Sequence, residues 1–220
     1  MGSPIALSNL ASAYVKAKMK VHGAGFTHEI IWQRDLRSSE MTENTFLKEC
    51  AWVILCSGMR ESVIEKKFPL IGNAFFDWSS AEIIAHHRAQ CINSAFAFFG
   101  HKPKIEAIAE SACIIHEKGF ETISKELASD PIPALHQFPY IGPATSYHLA
   151  KNIGFPVAKP DRHLCRLAKL SGYPTPAKLC QALSEYVGDP IAVVDIVLWR
   201  FATLQRDYLT SFLHDGRLGF

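Results

Sequence analysis

The chain has 220 residues, of which 48% are apolar, and a formal net charge of +2. This length and apolar fraction are typical of a globular protein with one domain or two small lobes. The near-neutral charge argues against attraction to nucleic acid over the whole surface, so charge can act only locally. The longest uncharged run, residues 131–150, holds four prolines and is no candidate for a membrane span, which needs about 20 predominantly apolar residues.

Helix signals recur along the chain. Thr42 is placed to cap a helix whose apolar side chains follow the i, i+3, i+4 spacing of an amphipathic helix. The serine pair 79–80 precedes another helix, with Glu82 placed to close a capping box. Asp189 and Pro190 mark a later start, with the aspartate as cap and the proline in the first turn.

The remaining pattern is also helical. Only residues 26–32 resemble a strand, and no repeat or flexible linker is evident. The pattern predicts an all-α protein with nine or ten helices. Further helices are predicted over residues 61–67, 92–99, 103–116 and 120–128.

A predicted hairpin of two helices occupies the middle of the chain. A short helix over residues 132–137 leads to a turn over 138–142 and a second helix over 143–153. Gly142 permits a tight turn and the close approach of another backbone. Pro143 suits the first turn of the second helix, where its missing N–H has no partner to lose.

The start of this second helix is a candidate anion site. The amide groups of Gly142, Ala144 and Thr145 are expected to point outward there, where the helix dipole favours a phosphate even without a cationic side chain. An ordinary helix–turn–helix corner closed by glycine and proline fits the same residues.

The residues that follow the hairpin are locally basic. Residues 151–169 contain the single acid Asp161, which is expected at a helix start. The cations of this window are Lys151, Lys159, Arg162, Arg166 and Lys169.

Four short motifs together resemble a known family. They are Phe138-Pro-Tyr-Ile-Gly-Pro-Ala-Thr-Ser146, Asn152-Ile-Gly-Phe155, Asp161-Arg-His-Leu164 and Val194-Asp-Ile-Val-Leu-Trp199. In this order they resemble the helix-hairpin-helix DNA glycosylase superfamily of endonuclease III. The likeness is closest to its compact 8-oxoguanine glycosylase/lyase branch, and it covers about residues 42–207.

The resemblance implies two helical lobes with a helix-hairpin-helix motif and a DNA-binding cleft between them. Residues 1–220 would form a single unit of this type, with residues 1–41 contributing to one lobe. Residues 42–130 would form a six-helix lobe and residues 131–172 the hairpin and catalytic segment. Residues 173–220 would be helices that return to the other lobe.

Asp161 aligns with the aspartate that such enzymes use at the N-glycosidic bond. Cleaving this bond builds positive charge on the sugar, which a carboxylate stabilises while it orients or deprotonates the nucleophile. A helix N-cap is the plain structural role of Asp161, and both roles can coexist. The resemblance gives His163 a supporting role. It places Lys159 and Arg162 with the hairpin residues in DNA binding, although a solvated Arg162 without a role is an alternative.

Three residues are implied at the base pocket, which must receive a base taken out of the stack. Met59 falls where relatives place the residue that fills the gap left by the base. Asp195 can read a base edge, with a surface or capping role as the alternative. Trp199 can stack on the base, with core packing as the alternative.

Ala144 departs from the family pattern and affects the reaction type. Bifunctional relatives have a lysine directly after the glycine and proline of the hairpin, and its amine forms a Schiff base with the sugar. A methyl group cannot be a nucleophile. Lys151 is poorly placed to substitute, and Lys159 is an outside candidate. The resemblance therefore implies a monofunctional hydrolase that leaves an abasic site intact.

No cofactor is expected to be required. No cysteine follows Cys180, and none of the six cysteines has zinc or iron–sulfur spacing, so no cluster like that of endonuclease III is expected. By resemblance, the main-chain carbonyls of His136, Phe138 and Ile141 can hold Na⁺ or K⁺.

The expected function is that of a monomeric DNA glycosylase of base excision repair, acting on duplex DNA with a damaged base. We expect a cytoplasmic, nucleoid-associated protein without a membrane partner, because the N-terminus does not resemble a signal peptide. Likeness to the 8-oxoguanine branch favours an oxidised purine, whereas loss of the lysine favours an alkylated purine.

Two other functions fit the sequence. One is a helix-hairpin-helix DNA-binding protein without glycosylase activity, for which Ala144 is the main reason. The other is an unrelated all-α scaffold for protein contacts, favoured only by the low net charge.

Overall fold

The computed structural model of the chain describes residues 5–217, and it describes side chains for residues 5–212. Over these residues the protein forms fourteen α-helices, two short 3-10 helices and no strand, so the predicted all-α class is confirmed and the predicted number of nine or ten helices is too low. No helix in this described part combines the length and the apolar character needed to cross a membrane. The helices are α1 Leu7–Gly23, α2 Thr27–Asp35, α3 Glu43–Cys56, α4 Glu61–Ala74, α5 Ala81–His86, α6 Arg88–Phe96, α7 Lys102–Lys118, α8 Phe120–Ser129, α9 Pro131–Leu135, α10 Thr145–Asn152, α11 Arg162–Leu170, α12 Pro176–Val187, α13 Ile191–Leu204 and α14 Tyr208–Arg217.

The strand-like pattern of residues 26–32 is wrong as a strand prediction, because α2 covers most of it. The buried side chains of α2 are Ile30 and Gln33, three residues apart as on one helix face. Ile31 and Trp32 between them are exposed. The apolar run therefore does not alternate, and its burial has the helical period.

The helix starts show one confirmed cap and one correction. Thr42 caps α3 as predicted, since its Oγ1 accepts a hydrogen bond of 3.2 Å from an amide of the first turn. The capping box predicted for α5 is wrong, because Ser80 is the N-cap and Glu82 then stands second in the helix instead of third. Glu43 Oε1 instead accepts a hydrogen bond of 2.7 Å from the Ala81 amide.

Asp189 does not cap α13, because Pro190 stands at the N-cap position. Its carboxylate accepts hydrogen bonds from the Tyr14 hydroxyl at 2.6 Å and from the Lys18 ammonium at 2.7 and 2.8 Å. Burial and this hydrogen bond raise the pKa of Tyr14. Instead of capping α13, Asp189 therefore links α1 to the residues that precede α13.

The chain divides into two compact units. The described part of unit 1 runs up to Leu36 and resumes at Phe155, and unit 2 is Arg37–Gly154. The hairpin therefore belongs to unit 2 and Asp161 to unit 1. By sequence, unit 1 carries twelve lysines and arginines against eight aspartates and glutamates, whereas unit 2 carries eleven against thirteen. The positive excess of the chain therefore belongs to unit 1.

The central helix of unit 1 is α13. It packs against α1, α2, α11, α12 and α14, and nine of its fourteen residues are buried. Eight of the nine are apolar, and six of these eight share one core with residues such as Tyr14, Leu164 and Phe212. Asp195 is the single charged side chain among the nine.

The centre of unit 2 is formed by α3 and α7. Helix α3 packs against α4, α5, α7 and α10, and α7 packs in addition against α6 and α8. The ring of Phe46 on α3 lies 5.1 Å from that of Phe138 and 6.1 Å from that of Phe120, measured between centroids. The contact with Phe138 holds the start of the hairpin turn against α3.

A close backbone contact occurs where unit 2 ends. Gly154 has a φ of +89°, a conformation that L side chains rarely adopt. A Cβ built on it would lie 2.5 Å from the Ser38 amide nitrogen and 2.6 Å from the Arg37 carbonyl carbon. Glycine is therefore required, and this explains the glycine of the Asn152-Ile-Gly motif.

We predict that Gly154→Ala lowers the free energy of unfolding by about 2 kcal/mol or more, because strain and a backbone clash add. The matched control is Gly100→Ala in the same unit, where a Cβ meets nothing within 4 Å. It should change the free energy by less than about 1 kcal/mol in either direction. Urea denaturation of both variants measures this, and equal losses would contradict the required contact.

Candidate functional site

The hairpin segment, residues 131–152, consists of α9 and α10 packed against each other and the turn between them. Two hydrogen bonds shape the turn: the Phe138 amide donates to the Leu135 carbonyl, and the Ile141 amide donates to the Phe138 carbonyl, both at 3.1 Å. Phe138 and Ile141 are buried, while Tyr140 between them is exposed. The turn thus rests on two apolar anchors.

Gly142 is not the residue that bends this turn, contrary to the prediction. Tyr140 takes the left-handed conformation with a φ of +64°, and Gly142 does not have a positive φ. A Cβ on Gly142 would meet nothing within 4 Å in the chain itself. The structure therefore leaves open space at Gly142, where the backbone of another molecule could come close.

Of the three amides predicted to point outward at the start of α10, two remain candidates for binding an anion. The Gly142 amide donates a hydrogen bond of 2.7 Å to Thr145 Oγ1, so its predicted outward direction is wrong. Ala144 is the N-cap residue of α10; no side chain caps this helix and no acidic residue stands in its first turn. The amides of Ala144 and Thr145 are thus the ones at an uncapped helix start, which favours an anion.

Two polar residues at the end of α10 are buried. Asn152 is buried, and its Nδ2 donates a hydrogen bond of 2.8 Å to Glu49 Oε2 on α3. Burial raises the pKa of Glu49, and the hydrogen bond from Asn152 opposes this shift. Lys151 is also buried, so its prediction as part of a basic surface is wrong.

Asp161 is the N-cap of α11, as one of its two predicted roles required. Its Oδ1 accepts hydrogen bonds from the amides of His163 at 2.8 Å and Leu164 at 2.9 Å. No residue of the described part donates to Oδ2, and the side chain is only half-buried. One oxygen is therefore committed to the fold and the other is accessible to a ligand or water.

The residues that lead into Asp161 are held by α13. The Asp161 amide donates to the Lys159 carbonyl at 2.8 Å, and the Lys159 amide donates to Asp195 Oδ2 at 2.7 Å. Asp195 is only 1% exposed, so the surface role considered for it is wrong. Its reading of a base edge stays a prediction.

Helix α11 presents a cationic stripe, defined as Arg162, Arg166 and Lys169. Their i, i+4, i+7 spacing puts them on one face over about 10 Å of helix, and all three are exposed. Leu164 and Leu167 on the other face are buried in the core of unit 1. No acidic side chain in the described part of the chain forms an ion pair with a residue of the stripe.

The ring of His163 lies beside Asp161 and packs edge-on against Tyr208, with centroids 5.3 Å apart. Arg162 Nε donates to His163 Nε2 at 3.3 Å, and His163 Nδ1 is buried without a partner in the described region. Burial lowers the pKa of His163; the charges of Arg162 and Arg166 lower it too, while Asp161 raises it. The neutral ring is therefore favoured.

Comparison with protein-family models, with curated proteins and with solved structures gives no match. The likeness to helix-hairpin-helix glycosylases thus rests on the sequence motifs and stays a prediction.

The other predicted pocket residues lie in different units. Met59 of unit 2 is 39% exposed and follows Gly58, which has a φ of +69°. Trp199 of unit 1 is half-buried and packs on the core, and the Arg200 guanidinium lies 4.7 Å from its ring centroid. Their contacts with a base stay predictions.

The turn that carries Met59 is held by a lysine that sequence reasoning missed. Lys104 is 3% exposed, and its Nζ donates to the carbonyls of Leu55, at 2.7 Å, and Ser57. Burial lowers the pKa of Lys104. No local pattern signals this contact, because the partners are almost fifty residues apart.

Gln33 is a second residue that the sequence did not single out. It is 3% exposed on α2, and neither amide atom has a partner in the described part of unit 1. A buried amide without partners is costly, so a ligand that pairs with it would gain affinity.

The predicted cation site involves a carbonyl that already takes part in the fold. The Phe138 carbonyl accepts from the Ile141 amide and keeps a second lone pair for a cation. No clusters of three or more histidine, cysteine, aspartate or glutamate side chains suited to a metal occur among the described residues. Main-chain binding of Na⁺ or K⁺ by His136, Phe138 and Ile141 stays a prediction.

We predict that His163 makes stability depend on pH. Since its folded-state pKa is lowered, the unfolded chain binds its proton first as pH falls. The stability contributed by neutral His163 is full above a pH of about 6.5 and is lost as pH falls through the folded-state pKa. His163→Phe keeps the ring packing and should flatten the dependence of unfolding free energy on pH between about 5 and 7. Urea unfolding across this range measures it, and an unchanged slope would contradict the shift.

Proposed function

We propose that the protein is a monofunctional DNA glycosylase of base excision repair that hydrolyses the N-glycosidic bond of an oxidised or alkylated base in duplex DNA. One observation carries this proposal. Asp161 keeps an accessible carboxylate oxygen at the start of a helix whose exposed face is the cationic stripe. A phosphate backbone bound along the stripe would bring a nucleotide to that oxygen.

The chemistry follows from this carboxylate. As the base departs, positive charge grows on the sugar, and a fixed negative oxygen stabilises it without rearrangement. The same oxygen can orient the attacking water. The neutral ring of His163 beside Asp161 forms no ion pair with that carboxylate.

The hairpin segment would bind the DNA backbone. Its uncapped amides at Ala144 and Thr145 suit one phosphate, and the open space at Gly142 lets it approach. We include in the proposal the helix-hairpin-helix motif, the cleft between two lobes and the use of duplex DNA by a monomer. A cytoplasmic, nucleoid-associated location belongs to the same proposal.

We expect no lyase step because of where the candidate amines lie. Ala144 is exposed but has no amine, and Lys151 is buried on α10. Lys159 stays the outside candidate for Schiff-base chemistry. The alternative function is a helix-hairpin-helix DNA-binding protein without glycosylase activity, which Ala144 favours.

We predict that a panel of duplexes, each with one oxidised or alkylated base, identifies a substrate from which wild type removes the base. The strand at the resulting abasic site should then break only after alkali treatment. Asp161→Asn keeps an oxygen that can cap α11 but removes the charge, so cleavage should fall by about 100-fold or more. The control Asp207→Asn changes an exposed carboxylate of the same unit. It should cleave like wild type.

The panel also separates the competing functions. Duplex binding without cleavage of any lesion would favour the non-enzymatic alternative. Strand breaks without alkali, or borohydride trapping of wild type, would contradict the absence of a lyase step. Ala144→Lys tests the alignment of the hairpin, because the added exposed amine should make trapping detectable.

We predict that the cationic stripe sets the salt dependence of binding. Arg166→Ala should reduce the slope of log affinity against log salt by about 0.9, the value for one lost phosphate contact. The control Lys178→Ala removes an exposed cation of α12 in the same unit and should leave the slope unchanged. Fluorescence anisotropy with an undamaged duplex measures both, and equal slopes for the two variants would exclude the stripe as the DNA contact.

A further inference from the structure

A buried carboxylate stands in the most apolar helix of unit 1. Asp195 is 1% exposed, and its neighbours along α13, Val194 and Ile196, are buried as well. Burying a carboxylate costs free energy unless hydrogen bonds compensate it. The hydrogen bond that it accepts from the Lys159 amide is 2.7 Å long, which is short for an N–H donor and typical of a charge-assisted bond.

This bond begins a continuous chain that ends at Asp161. Asp195 Oδ2 accepts from the Lys159 amide, the Lys159 carbonyl accepts from the Asp161 amide at 2.8 Å, and Asp161 Oδ1 accepts from the first amides of α11. Pro160 lies between the two amides and has no N–H. Both amides that residues 159–161 possess are therefore used to fix this segment.

The proline adds a second restraint. Its ring fixes its own φ and biases Lys159 toward an extended conformation. Once the Lys159 amide is tied to α13, residues 159–161 have little freedom, and the direction of the Asp161 carboxylate is set. The tie to Asp195 adds to the N-cap bonds, which hold the carboxylate itself.

We propose that Asp195 is a positioning residue for Asp161, acting through the Lys159 amide; this rests on the proposed glycosylase function. Asp195 contacts neither the sugar nor the water. It keeps Asp161 Oδ2 at one place, where a displacement of about 1 Å can cost about 100-fold in rate. A role in reading a base edge predicts a different result, because it would change the preference among lesions.

The experiment uses Asp195→Ala, which removes the acceptor, and Asp195→Asn, which keeps an oxygen of the same shape. Val197→Ala is the matched control: a buried residue of α13 that makes no hydrogen bond to residues 159–161. Amide hydrogen exchange at Lys159 is compared with exchange at core amides of α13. This readout needs no enzymatic activity.

Positioning predicts that Asp195→Ala speeds exchange at Lys159 relative to core amides, whereas Val197→Ala does not. On the substrate found in the panel, kcat should fall by about 100-fold in Asp195→Ala with KM within about threefold. The kcat of Asp195→Asn should be about tenfold or more above that of Asp195→Ala. For any other lesion that wild type excises, kcat should fall by the same factor in Asp195→Ala.

Two results would overturn the positioning role. One is unchanged relative exchange at Lys159 in Asp195→Ala, and the other is a loss of activity confined to one lesion, which would assign Asp195 to the base. If wild type cuts no lesion, the glycosylase proposal fails, and the exchange comparison still decides whether Asp195 fixes this segment.

Discussion

The first amides of an α-helix have no acceptor inside the helix, and the candidate site depends on how the chain satisfies them. At α11 the acceptor is Asp161, which uses one carboxylate oxygen for two amides and keeps the other. At α10 no side chain serves as acceptor, so the amides at Ala144 and Thr145 remain suited to an anion. The same constraint therefore produces a carboxylate cap in unit 1 and a candidate anion-binding site in unit 2.

Features fixed within one helical turn could be predicted from the sequence. Thr42 and Asp161 cap their helices as expected, since a cap depends only on the residue and the two or three amides that follow it. The all-α class followed from apolar spacing that repeats along the chain. The hairpin was placed within two residues at each helix end, because Pro143 limits where the second helix can begin.

Features that depend on distant partners could not be predicted. Asp189 matches a cap signal but is bound by Tyr14 and Lys18, about 170 residues away in sequence. Lys151 counts as a surface cation in any local window, yet α10 turns it inward. Asp195 was open to several roles, and only the fold shows its contact with the Lys159 amide. Burial and long-range pairing are properties of the packed units and leave no local pattern.

If the protein is the hydrolase that we propose, the absence of an amine at Ala144 increases the demand on Asp161. A covalent nucleophile attached to the protein is held in place by its own side chain, whereas water must be oriented by hydrogen bonds. A hydrolytic site with one carboxylate therefore depends on how firmly that carboxylate is held. The bonds from Asp195 through Lys159 to Asp161, with Pro160 between them, supply this rigidity from the best-buried helix of unit 1. Under the proposed function, the buried carboxylate on α13 would serve to position Asp161.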